Sequence, residues 1–138
     1  MQDLICPFSA TLARETFGCI RAERVIRRGG TEFTCRDPAS HARCLQLFGQ
    51  MKDAGLTAFD VEDDLTQIPH SVLVKIQFGG LLGLQRITQA TPAEAGRIED
   101  IDALVTAAVK RFDTLQAIPC EQLTSDMTGY SLSRRSRR

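Results

Sequence analysis

A chain of 138 residues with 43% hydrophobic and 25% charged content has the size and balance of one soluble globular domain with its own core. Its formal net charge is zero and four of its positives crowd into the last five residues, leaving 13 basic against 17 acidic residues elsewhere. That excludes the broad basic field of a dedicated nucleic-acid binder, and no stretch approaches the ~20 apolar residues that span a bilayer.

The start, Met1-Gln2-Asp3-Leu4-Ile5-Cys6-Pro7, lacks the basic and apolar regions of a signal peptide. The expected compartment is therefore the cytoplasm, where disulfides rarely persist. Pro7 suits a first helical turn, and Leu12, Ala13 and Phe17 make an apolar stripe, so a helix is expected over 7–17 with Gly18 as its stop. Residues 20–28 read as a second short helix closed by Gly29-Gly30, and Thr31–Thr34 as an extended connector. Asp37-Pro38 is a strong helix start, with Asp as N-cap and Pro at the first position. That helix is expected to run to about Ala54, ahead of Gly55, with Leu45, Phe48 and Met51 on its apolar face. Residues 57–68 carry Asp60, Glu62, Asp63 and Asp64 without the spacing of a calcium loop, and read as a solvated acidic loop.

The stretch 69–88 is the most apolar of the chain. Alternation over Val72, Val74, Ile76 and Phe78 followed by Gly79-Gly80 allows a hairpin over 71–87, which would make the fold α+β. The alternation fails beyond residue 80, and apolar character all round the run fits a central buried helix better. Three glycines (79, 80, 83) would weaken that helix by roughly 1 kcal/mol each, so something must pack closely there: another helix or an inorganic cofactor. After a linker at 91–96, residues 97–117 carry Ile98, Ile101, Leu104, Val105, Ala108, Val109, Phe112 and Leu115 at helical spacing. This helix also offers a face for a homodimer. Pro119 ends it, and 119–138 reads as a polar, basic, disordered tail. The expected fold is mainly α: one helical domain over 1–118, with a cysteine-rich N-terminal half holding a metal site within 1–55.

Cys6, Cys19, Cys35 and Cys44 follow the pattern C-x12-C-x15-C-x8-C, and Cys120 stands apart as a bystander near the tail. Four clustered cysteines in a reducing compartment point to metal ligation. No close cysteine pair exists, as most structural zinc sites have, nor the short spacings of a ferredoxin. Widely spaced ligands must converge through the fold, and a cubane cluster, several ångströms across, tolerates wider separation than one zinc ion. The expected cofactor is thus a [4Fe-4S] cluster on Cys6, Cys19, Cys35 and Cys44, with His41 in reserve, three residues before Cys44 on the same helix face. Zinc is the alternative. Seven arginines against five acids over residues 1–44 suit an anionic guest. The expected role is electron transfer or redox sensing towards a larger partner protein, with no turnover chemistry: the two histidines, His41 and His70, accompany no G-x-S-x-G nucleophile motif. Two other roles stay open: a zinc-stabilised protein- or nucleic-acid-interaction module, and a metal-free helical adaptor.

Overall fold

The structure, a computed structural model, describes residues 4–14, 16–28, 30–60, 69–88 and 97–130. In chain order its elements are α1 (Ser9–Leu12), β1 (Ala22–Arg27), β2 (Gly30–Cys35), α2 (Pro38–Ala58), α3 (His70–Thr88), α4 (Ile101–Phe112), one 3-10 turn (Cys120–Leu123) and α5 (Thr124–Thr128). Helices thus dominate, with one small antiparallel sheet, and no helix among the described residues is long and apolar enough to cross a membrane.

The stretch 69–88 forms the helix α3 rather than a hairpin, and it is the axis of the core. Ile76, Leu81 and Leu84 are fully buried, beside Leu47 and Met51 of α2, Val105 and Ala108 of α4, and Leu123 and Met127 of the C-terminal segment. The glycines are explained by helix packing, not by a cofactor. A methyl group at Gly79 would collide with the Met127 backbone and lie 2.5 Å from the Asp126 carbonyl, and one at Gly80 would lie 2.7 Å from Met51 Sδ. Gly55 does not stop α2 either; it sits inside the helix, where a Cβ would come within 2.8 Å of Ile76. The start of α2 is as expected, with Asp37 accepting from Ser40 N at 3.3 Å and Ser40 Oγ at 2.8 Å. Leu45, assigned to the apolar face, is instead 48% exposed; the buried face runs through Cys44, Leu47, Met51 and Leu56.

Three other expectations are corrected. Within residues 20–28 the chain forms the strand Ala22–Arg27, not a helix. β1 and β2 pair in register Ala22↔Cys35 through Arg27↔Gly30, and Gly30 takes φ +127°, a conformation that only glycine adopts readily. Val25, Ile26, Thr31 and Thr34 are β-branched and prefer the strand. The helix over 7–17 shrinks to four residues. The chain beyond it instead bonds to the approach of α4: Ile98 N to Thr16 O, Gly18 N to Ile98 O, and Ile101 N to Gly18 O. Gly18 is there for proximity, since a Cβ would lie 2.9 Å from the Glu99 carbonyl oxygen. The last long helix begins only at Ile101, capped by Asp100, and ends at Asp113, where φ is 81°.

Residues 120–130, assigned to the disordered tail, are folded, with Cys120, Leu123 and Met127 buried and Tyr130 stacked on Phe78 at 5.1 Å. Four buried or stacked side chains spread over eleven otherwise polar residues were too sparse a signal to mark the segment as core. The face of α4 offered for dimerisation is spent on the chain's own core, where Ile101, Leu104, Val105 and Ala108 are buried. The acidic residues 61–68, the linker 91–96 and the tail 131–138 lie outside the described residues.

Candidate metal centre

The site is built on β2. The segment before α1 lies along the outer side of that strand, with Cys6 N donating to Phe33 O at 2.8 Å and Cys35 N to Leu4 O at 2.7 Å. Cys6 and Cys35 are thereby brought to neighbouring positions on adjacent extended segments. Cys19 comes at the turn into β1, held against the start of α4 by the bonds of residues 16–18 and by Ile20 N donating to Asp100 Oδ1 at 3.0 Å. Cys44 enters from the second turn of α2, whose position is fixed by the Asp37 cap.

All four cysteines, drawn from four separate segments, line one partly open pocket. Pro7, Arg21, Ala22, Ser40, His41, Ile101 and Asp102 complete its wall. None of the four is in a disulfide. Cys120, which also carries a free thiol, lies elsewhere, buried beside Gln50. The short α1 removes the difficulty a long helix would have posed: the chain between Cys6 and Cys19 folds back instead of running straight.

The thiols feel one another. Burial pushes Cys44 up to about 12, with added repulsion from Cys6, Cys19 and Cys35 and partial relief from the Arg43 charge. Cys6 is pushed up to about 11, again chiefly by burial, against a hydrogen bond from Phe8 N at 3.4 Å, with Cys19 and Cys35 adding repulsion. Cys19 is raised by burial and by the carboxylates of Asp100 and Asp102, while the amides of Arg21 and Asp102 stabilise its thiolate. The Cys35 thiol donates to Asp37 O at 3.3 Å. Left alone, this pocket keeps Cys6 and Cys44 protonated at neutral pH; four thiolates can coexist there only around positive charge.

His41 lines the pocket, but its Nε2 is 3.0 Å from Ile5 O, so it tethers the Cys6 segment to α2. Asp102, absent from the apolar stripe read over 97–117, is a site residue that sequence reasoning missed. It accepts from Arg43 Nη2 at 2.9 Å and pairs with Arg21 Nε at 3.5 Å, its side chain only 14% exposed. The one available signal was its place two residues after an N-cap aspartate, where its amide reaches the Asp100 carboxylate. Arg43 Nε is buried with no partner among the described residues.

Among the described residues, no group of three or more His, Cys, Asp or Glu side chains is arranged to hold a metal ion. The four sulfurs share a pocket without forming a ready-made single-ion site. No protein-family model matches the chain, and no curated protein or solved structure is significantly similar to it.

Proposed function

We propose that Cys6, Cys19, Cys35 and Cys44 hold a [4Fe-4S]-type cluster, and that the chain serves electron transfer or redox sensing towards a larger partner. The observation that carries this reading is the convergence of four thiols, from four separate segments, on one pocket wall. The donor chemistry fits: an all-sulfur set suits iron–sulfur clusters. A zinc ion needs four ligands at about 2.0–2.3 Å, and no such single-ion group is arranged among the described residues; a cluster places its ligand atoms farther apart.

When bound, such a cluster would supply one-electron chemistry. The chain's own residues would set its surroundings. The amides of Phe8, Arg21 and Asp102 point hydrogen-bond donors at sulfur, and Arg43 offsets thiolate charge at Cys44. Arg21 and Arg43 neutralise Asp102, whose carboxylate would otherwise repel an anionic group. His41 fixes the Cys6 segment.

Anaerobic isolation followed by iron, sulfide and zinc analysis tests the proposal. The expected result is a brown protein absorbing at about 400 nm with about four irons per chain. A colourless protein holding one zinc, or no metal after anaerobic reconstitution with iron and sulfide, would overturn it.

A further inference from the structure

β1 has a strand partner on one side only. Arg21 and Arg36 are hydrogen-bonded, Arg36 N donating to Arg21 O at 2.8 Å, so the antiparallel alternation turns Glu23, Val25 and Arg27 towards β2. The backbone N–H and C=O of Ala22, Arg24 and Ile26 therefore face outward. At Ala22 that capacity is used, its amide by Cys19 O and its carbonyl by Arg36 Nη2 at 3.2 Å. At Arg24 and Ile26 no strand among the described residues takes it up. An edge of this kind is a template for another strand.

The side chains around the edge are unusual in two ways. Among the described residues, two of the four exposed large apolar side chains are here, Ile26 at 81% and Ile20 at 67% exposure. The segment 20–36 also carries five arginines against two glutamates, and Arg24, Arg28 and Arg36 are exposed. A second copy of the same edge would set arginine against arginine, a pairing that like charge opposes. An incoming strand that alternates acidic and apolar residues sets its acids beside Arg24 on one face and its apolar residues beside Val25 on the other, while its backbone meets the open edge.

We propose that the open edge of β1 docks an acidic, extended segment of a partner protein by strand addition. The edge is argued without reference to what the pocket holds. Arg21 and Ala22 line the pocket and Ala22 pairs with Cys35, so the strand that offers this edge begins at the pocket wall.

The test uses the full chain and a fluorescent synthetic peptide alternating Glu and Val, read by anisotropy. A Lys–Val peptide, a Glu–Val peptide N-methylated at alternate residues, and a short DNA duplex are the comparisons. Expected are binding of the Glu–Val peptide, weakening of about tenfold or more between ~20 mM and ~200 mM salt, and slowed hydrogen exchange at the amides of Arg24 and Ile26. The doubly substituted Arg24→Glu, Arg28→Glu chain should bind about tenfold or more weakly. Equal binding of the N-methylated peptide would refute strand addition, equal binding of the Lys–Val peptide would refute the acidic partner, and preference for the duplex would make the surface a nucleic-acid site. The two peptide comparisons are made on the unsubstituted chain, so they decide even where the double variant fails to fold. Iron content, measured on the same samples, is a separate readout: iron with no peptide binding overturns the docking edge alone, and peptide binding with no iron leaves it standing.

Discussion

Titrating the thiols of the metal-free chain tests the physical basis of the proposed site directly. At pH 8 a free cysteine, with a pKa of about 8.5, is about a quarter thiolate. Cys6, pushed up to about 11, is then ionised in about one molecule in a thousand, and Cys44, at about 12, in about one in ten thousand. The thiolate is the nucleophile, so alkylation by iodoacetamide should run at least about a hundredfold slower at both than at an unperturbed cysteine. Rates at Cys6 and Cys44, read by mass spectrometry of the peptides, should climb about tenfold per pH unit from pH 7 to beyond 10. Metal loading must displace these protons; at pH 7.5 the cost for Cys44 alone is of the order of 6 kcal/mol. Loading should therefore strengthen with rising pH. A rate that levels off by pH 9 at either cysteine, in protein still folded by circular dichroism, would refute the argument, because it would mean that the thiols neither crowd nor lose water.

Three further outcomes follow from the same geometry. The folded metal-free chain holds the Cys44 proton more tightly than the unfolded chain, so this stabilisation is full below pH ~9 and declines as pH rises towards about 12. The loss is of the order of 4 kcal/mol, and urea midpoints of metal-free protein at pH 8 and pH 10.5 should show the decline beginning; a midpoint unchanged between them would count against it. Gly79→Ala, favourable by about 1 kcal/mol on helix propensity, should instead destabilise by about 1–3 kcal/mol because its methyl meets the Met127 backbone; thermal melting gives the sign. Cys35→Ser should abolish bound metal while Cys120→Ser retains it, since Cys120 stands outside the pocket; metal analysis of the two purified variants decides, and equal retention would disprove the ligand set.

Local signals in the sequence were enough wherever the cause was local. Asp37-Pro38 marks the start of α2 because a carboxylate caps amides only two or three residues away. The apolar run 69–88 is helical because burial over most of Ile76–Leu84 leaves its backbone to satisfy itself. The cysteine spacing picked out the four residues that line the pocket, through their count and their clustering rather than any motif. What failed was decided by contacts distant in sequence. Residues 20–28 became a strand because β2 and the Leu4–Cys6 segment supply a sheet for them to join. Gly79 and Gly83 of α3 turned out to be seats for Met127 and Asp126, more than forty positions away, and Asp102 joined the pocket because Arg43 of α2 holds it there. Composition and spacing determine which atoms are available and which short turns they favour. Which of them meet is set by the packing of the whole chain, because burial and hydrogen bonding reward whatever tertiary neighbours come within reach.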